Sequence, residues 1–377
     1  MINILHLDTE GGWGGSSISL FNIVTNLNRK RFKPFVICRK NGPIIEKYKK
    51  KNINIYKNLN LYSFSPKPRT NNFKLFLTTI PQFIFFINGL IKLYQFINKN
   101  KIDIVHLNFE GFFLVGIFLN FFFKIPIVIH YRSTIPTKSI SHKIISIINL
   151  FVSKNIIFIS KIEKKKFLKI YPFLRKIKPH VVYNISKCKN LKFNRFKNKD
   201  LIYIGNISFN KGVDRLIDLA QYLQKHKIKS LIKIYGDTRG EKSYKDKIIK
   251  KIKELKLNNI KLMGRTKNPE EIIQKAFLIL RPSRHNDPWG RDIIDACSAG
   301  IPCISTGNEN DIIINKINSY YVKNFDSKKV SEIIKDLSNS NRLYNKISKN
   351  FLKQKKLLLS KEKSILKLQN LFLKLYN

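Results

Sequence analysis

The chain has 377 residues, 43% of them hydrophobic and 25% charged, which is enough for two domains with cores of their own and excludes a disordered chain. Its formal net charge is +48, from 72 Lys and Arg against 24 Asp and Glu, which reads either as affinity for anionic partners (phosphorylated ligands, an acidic membrane surface or nucleic acid) or as a coding bias that leaves solvated lysines. The lysines are spread over every segment alongside abundant Ile and Asn, and the phenylalanines cluster in apolar stretches, which argues against a dedicated basic, aromatic-studded nucleic-acid surface.

In chain order, "INILHLD" reads as a strand, and the glycine loop "EGGWGGSS" leads into "ISLFNIVTNLN", apolar at helical spacing. "KPFVICR" is a second strand, "PIIEKYKKKN" a helix and "NINIY" a third strand. A long Phe-rich helix follows, then the strand "DIVHLN", a short Phe-rich helix, and the strands "IPIVIHYR", "NIIFIS" and "HVVYN" with helices between them. The apolar rhythm lapses over 185–200 and restarts with "LIYIGNI", "SLIKIYGD", "NIKLMG" and "FLILRPS", again separated by helices. Strands alternating with helices require a parallel sheet covered on both faces. The expected fold is therefore α/β: two doubly wound, Rossmann-like parallel-sheet domains facing each other across a cleft. The expected divisions are 1–184, a linker at 185–200, a second domain at 201–350, and a C-terminal helix from 351 to 377 packing back on the first domain.

Cys38, Cys188, Cys297 and Cys303 show no CxxC spacing, which argues against a zinc site or a disulfide framework. The opening "MINILHLDTE" lacks the basic start and apolar core of a signal peptide, so the expected location is cytoplasmic. The apolar stretch at 76–97 is broken by Pro81, Gln82, Asn88 and Lys92, and the one at 111–123 is too short to span a bilayer. Phe-rich helices flanked by lysine fit attachment to the inner face of the cell membrane, with an anionic membrane surface as partner.

Two stretches carry chemistry. In "YIGNISFNKGVDRLI" the turn around Asn210, Lys211 and Gly212 offers backbone N–H groups and a lysine to a phosphate, although it is neither a P-loop nor GxGxxG. In "NDPWGRDIIDACSAGIPCIST" Asp287 precedes Pro288 at a helix start, and Asp295 lies farther along the helix, on the side expected to face the cleft mouth. Ionised carboxylates accept hydrogen bonds only, so such a pair suits ligand hydroxyls; an N-cap with an exposed acid is the alternative. Gly300 is placed to end the helix.

Together "GNISFNKGVDRLI", "YGD", "NIKLMGRT", "LRPSRHNDPWGRDIIDACSAGIPCIST" and "ENDIIINKINSYYV" resemble the C-terminal domain of the retaining GT-B glycosyltransferases of glycosyltransferase family 4. "EGGWGGSSISL", "DIVHLN" and "IPIVIHYR" are more loosely similar to its N-terminal half. The resemblance implies transfer of a sugar from a nucleoside diphosphate sugar to a glycan or lipid-linked acceptor, with retention at the anomeric carbon and without a metal or other cofactor; no DxD motif occurs. It implies a catalytic set of Lys211, Asp287 and either His130 or Arg132. The implied donor-binding set is Gly14, Gly15, Asn206, Lys211, Gly236, Arg265, Asp287, Pro288, Trp289, Gly290, Arg291 and Asp295. In that reading Lys211 and the turn amides hold the diphosphate, and the amides of Trp289 and Gly290 meet the sugar. The chain departs from the family at three points: aspartates stand at both glutamate positions, and Asn206 stands where an arginine is usual. A degenerate, non-catalytic relative is the alternative to an active enzyme, and a nucleic-acid binder the remoter one.

Overall fold

The structure, a computed structural model, describes residues 1–377 except 13, 59, 65–72, 133–139, 173–176, 178, 198, 239–241, 285–289 and 308–310. For 73–83 and 140–141 it describes the backbone alone. The first strands and helices are β1 (Ile2–Asp8), α1 (Gly15–Val24), β2 (Phe32–Cys38), α2 (Ile44–Lys49), β3 (Asn54–Lys57) and α3 (Phe73–Asn100). They continue with β4 (Ile104–Leu107), α4 (Phe113–Phe122), β5 (Ile127–Tyr131), α5 (Ile140–Val152), β6 (Asn155–Phe158), α6 (Lys161–Ile170) and β7 (His180–Val181). A second series runs β8 (Leu201–Ile204), α7 (Val213–Lys225), β9 (Ile232–Tyr235), α8 (Lys242–Glu254), β10 (Ile260–Gly264) and α9 (Pro269–Lys275). It goes on through β11 (Leu278–Arg281), α10 (Arg291–Ala299), β12 (Cys303–Thr306), β13 (Tyr320–Val322), α11 (Ser327–Asn339) and α12 (Asn341–Leu358), and α13 (Lys361–Tyr376) ends the chain.

These elements form two compact units, Met1–Ile185 with Lys361–Asn377, and Ser186–Ser360. The helix expected from 351 is thus divided: α12 stays with the second unit and α13 joins the first.

In the first unit, among the described residues, seven parallel strands lie in the order β3-β2-β1-β4-β5-β6-β7. The central strand β1 is almost wholly buried, as an apolar run covered on both faces must be. One face packs Leu5, Leu7, Val105 and Ile129 against Leu93 of α3, Val115 and Leu119 of α4, Val152 of α5 and Phe167 of α6. The other face meets α13, whose Ile365, Leu368, Leu371 and Phe372 close over Ile2, Ile4, Ile104 and Val128. Farther along that side, α1 and α2 cover Val36 and Cys38.

Among the described residues of the second unit, six parallel strands lie in the order β10-β9-β8-β11-β12-β13. Its core joins Leu201, Ile232, Ile234, Leu278 and Leu280 to Leu216, Leu219 and Leu223 of α7 and to Val330, Ile334 and Leu337 of α11. Gly300 ends α10 in the left-handed conformation at φ 70, as its place after "ACSA" predicts. A Cβ there would come within 2.9 Å of Leu352, so the small residues let α12 close on α10. Asp326 and Ser340 cap α11 and α12 by accepting from the N–H groups of Lys329 (2.8 Å) and Leu343 (3.1 Å).

Each sheet reverses its strand order once near its middle, between β1 and β4 and between β8 and β11. Chains leave such a point in opposite directions, opening a crevice at the carboxyl ends of the strands, where doubly wound sheets bind ligands.

Candidate functional site

In the second unit the residues around that reversal are tied together closely. Gly205 follows β8 and Gly236 follows β9; a Cβ on Gly236 would sit 1.8 Å from the Gly205 carbonyl oxygen, so the two strand ends touch only because residue 236 is glycine. The chain then turns, with the Tyr203 hydroxyl donating to the Asn206 carbonyl at 2.7 Å, into a short 3-10 turn over Phe209–Lys211. Gly212 leaves that turn at φ 69 and opens α7; a Cβ on it would lie 2.1 Å from the Pro282 carbonyl oxygen. The turn is stapled to the segment after β11. Arg284 N–H donates to the Asn210 carbonyl (2.9 Å), its guanidinium to the Phe209 carbonyl (2.6 Å), and Arg215 to the Pro282 carbonyl (3.1 Å).

Half-buried Lys211 is therefore held at the carboxyl edge of the sheet by a turn with little freedom. Other charged groups are fixed nearby in the same unit. Arg284 grips Asp214 with both arms of its fork, Tyr244 donates to the same carboxylate at 2.6 Å, and the Phe209 ring lies 3.8 Å from the guanidinium. Exposed Arg265 follows Gly264 at the end of β10, and Lys245 reaches Asp237 at 2.9 Å. That bond, with Arg265 adding to it, holds the Asp237 carboxyl below its ordinary value.

α10 begins beside this edge. Gly290 is its N-cap, extended at φ −87 and ψ 144 and without a side chain of its own to cap the helix, and Asp292 stands in the first turn. A Cβ on Gly290 would lie 1.8 Å from Arg281, whose guanidinium forms a buried ion pair with Asp292. Asp295 does not take the open side expected for it. It is 2% exposed, accepts from the Ser186 hydroxyl at 2.6 Å and lies 3.3 Å from Arg291, which is 3.7 Å from Glu270. Burial pushes the Asp295 carboxyl up to about 6, against the pull of Arg291 and Ser186. Its carboxylate thus joins the start of the unit to the first turn of α10. Asp287, Pro288 and Trp289 lie outside the described residues.

In the first unit the polar groups also gather at the carboxyl ends of β1, β4 and β5. Asp8 accepts from Ser17 at 2.7 Å and from the Gly11 N–H at 3.0 Å, folding the glycine loop back onto the strand. Gly14 caps α1, Gly15 is its first residue, and a Cβ on Gly14 would collide with Glu10. Arg132, just past β5, donates to Asn108 (2.9 Å) and Asn184 (2.6 Å), while its N–H donates to Glu110 (3.1 Å). His130, two residues earlier, is completely buried beside His106, which faces His6 at 2.9 Å. Burial holds His130 and His106 well below the usual imidazole range and His6 at about 3, so the row is neutral. Of the two candidates on this strand, Arg132 is at the sheet edge and His130 is inside the core.

The partners of these residues were not legible beforehand. Arg284, Arg281 with Asp292, and Asn108 and Asn184 around Arg132 meet only through strand neighbours distant in sequence. The one local signal was the doubled arginine of "RPSR", which straddles the end of β11.

Comparison with known proteins places both units. The model of the Glycosyltransferase Family 4 matches residues 13–185 and that of the Glycosyl transferases group 1 matches 189–354. An uncharacterized 42.6 kDa protein in the cps region of Klebsiella pneumoniae is 28% identical over 173 residues, 45% of this chain and 43% of that protein's length. Among solved structures, HepE of Anabaena in complex with UDP-glucose has a TM-score of 0.80 at 18% identity, over 99% of this chain and 100% of that one. Sucrose-phosphate synthase of Thermosynechococcus elongatus has 0.77 at 16%, over 100% and 99%. TarM of S. aureus, solved as a mutant with fondaparinux, alpha-GlcNAc-glycerol and UDP, has 0.76 at 15%, over 100% of both. At these identities the structures share the fold: two parallel-sheet, Rossmann-like units of the GT-B kind. The two models together account for nearly the whole chain, and it belongs to the group 1 and family 4 glycosyltransferases.

Proposed function

We propose that the protein moves a sugar from a nucleoside diphosphate sugar to a glycan or lipid-linked acceptor, with retention at the anomeric carbon. The product would be a cell-surface polysaccharide or glycolipid assembled at the cytoplasmic face of the membrane. The observation that carries this reading is the Phe209–Gly212 turn, pinned to the segment between β11 and α10 so that Lys211 stands at the strand-order reversal. A rigid cation and a helix amide end suit a diphosphate whose charge grows as it leaves. HepE and TarM, solved with UDP, and the cps-region relative support a uridine nucleotide and a polysaccharide product.

In the reaction the bond between the anomeric carbon and the diphosphate oxygen breaks. The acceptor oxygen bonds to that carbon on the same face, and its proton passes to a phosphate oxygen. Lys211 and Arg265 would neutralise the diphosphate, and the amides of Gly290 and Arg291 would face it at the head of α10. Asp287, Pro288 and Trp289, by the family resemblance, would hold donor-sugar hydroxyls. Gly236 and Asn206 would form the floor under the nucleotide. Asp295 acts through Arg291 and Ser186, positioning the first turn of α10. In the first unit, Gly14, Gly15 and Arg132 would meet the acceptor side of the reaction.

The test is turnover. UDP-, GDP-, ADP- and CMP-linked sugars are incubated with the full chain with and without EDTA, and release of the free nucleotide is followed. Release by the wild type that survives EDTA and is lost in Lys211→Ala is the expected result. Binding without release would favour the degenerate relative, for which Asn206 in place of an arginine speaks.

A further inference from the structure

We propose that the outer face of α3, α4 and α5 in the first unit docks on an anionic lipid bilayer. The three helices cover one side of the seven-stranded sheet together with α6. Their inner residues fill the core, yet many of their outer residues are also apolar, interspersed with exposed Lys92 of α3 and Lys143 of α5. Phe121 and Phe151 are each 83% exposed, and Ile84, Phe85, Phe122 and Ile144 each exceed half exposure. A single exposed phenylalanine is ordinary; a band across three helices is not.

The helices that carry these residues are in direct contact. Tyr94 of α3 meets the rings of Phe122 (6.1 Å) and Phe123 (5.1 Å), and the Asn120 amide of α4 donates to the Val152 carbonyl at the end of α5 at 2.9 Å. That bond brings the end of α4, with Phe121 and Phe122, next to the end of α5, with Phe151. α4 itself, "FLVGIFLNFF", has no charged residue.

Charge lies at the margins. Lys124 and Lys154 line a hollow of about 390 Å³ between the two helix ends, beside the phenylalanines. On α6, in the same layer, Lys161, Lys164, Lys165 and Lys169 line a second hollow of about 610 Å³. Apolar rings bordered by lysines match the boundary between acyl chains and acidic headgroups. A second copy of the chain fits worse: it carries the same +48 and would bring lysine margin against lysine margin. Among the described residues no helix is long and apolar enough to cross a membrane, so the band lies on the bilayer surface. The inference rests on the first unit alone and is independent of the sugar-transfer reading.

The experiment is co-sedimentation of the full chain with vesicles of phosphatidylcholine, alone or with about one-third phosphatidylglycerol, at low salt and at about 0.5 M NaCl, where surface charge is largely screened. The proposal expects the wild type to bind the acidic vesicles and to remain partly bound at high salt. The combined variant Phe121→Ser, Phe122→Ser, Phe151→Ser should partition about a hundredfold more weakly at high salt, from roughly half the burial value of three rings, with an unchanged melting temperature. Independently, Phe121→Trp in a Trp13→Phe, Trp289→Phe background, where it is the sole tryptophan, should shift its emission to the blue on acidic vesicles and be quenched by brominated acyl chains.

Equal high-salt binding by the wild type and the triple variant would overturn the proposal in favour of charge alone. So would a wild-type dimer that the triple variant makes monomeric while vesicle binding persists. If the triple variant folds poorly, the Phe121→Trp reporter decides: no shift and no quenching would also overturn it.

Discussion

Asp295 offers a quantitative test of the second unit, because a carboxylate 2% exposed is expensive to ionise even beside an arginine. Its carboxyl is pushed from the ordinary 3.8 to about 6 by burial, outweighing Arg291 at 3.3 Å and the Ser186 hydroxyl at 2.6 Å. A raised folded-state value means the native protein keeps the proton where the unfolded chain has lost it. The corresponding stability is fully present below about pH 4, declines as pH rises, and is gone above about pH 6, a change of about 3 kcal/mol at about 1.4 kcal/mol per pH unit. Asparagine at 295 mimics the protonated acid at every pH. Any constant effect of facing Arg291 with an amide offsets the whole curve without changing its slope. The assay is urea unfolding of the wild type and Asp295→Asn in a Trp13→Phe background, where Trp289 alone reports on the second unit. The wild type should lose about 3 kcal/mol relative to the variant between about pH 4 and about pH 7. Curves parallel within about 0.5 kcal/mol would refute the claim that Asp295 is an enclosed carboxylate.

Other outcomes follow from the same geometry. Gly212→Ala should destabilise the second unit by about 2–4 kcal/mol, read as a lower urea midpoint, since it combines φ 69 with a methyl 2.1 Å from a carbonyl oxygen. Arg281→Met strands a buried carboxylate and should cost about 3–5 kcal/mol, much of it recovered by adding Asp292→Leu; failure of the double variant to recover would mean the pair is not desolvated. Phe372→Ala should cost the first unit about 3–5 kcal/mol, read as a lower urea midpoint, because the ring is fully buried against Phe32, His6 and His106.

The strands were legible because a parallel sheet covered on both faces demands near-continuous apolar runs, and "INILHLD", "IPIVIHY" and "FLILR" have them. The stop of α10 was legible too, since Gly300 after four small residues is a left-handed cap and little else. The turn at Lys211 could be marked as a turn, but its rigidity could not: Arg284 and Pro282 reach it only after β11 pairs with β8. Helical spacing left the side taken by Asp295 open, and its enclosure depends on Ser186, far away in sequence. The histidine row was invisible for a similar reason, because His6, His106 and His130 meet through the order β1-β4-β5, which no single segment encodes. The same topology makes His130 a core residue and leaves Arg132 at the sheet edge.

The most direct test of the central claim is calorimetric titration of the full chain with UDP, GDP, ADP and CMP and their sugar conjugates, repeated on Lys211→Ala. One of these nucleotides should bind the wild type and bind Lys211→Ala at least about tenfold more weakly, the loss of one charge-assisted contact. Folded wild-type protein that binds none of them, or binds one equally well without Lys211, would contradict the account.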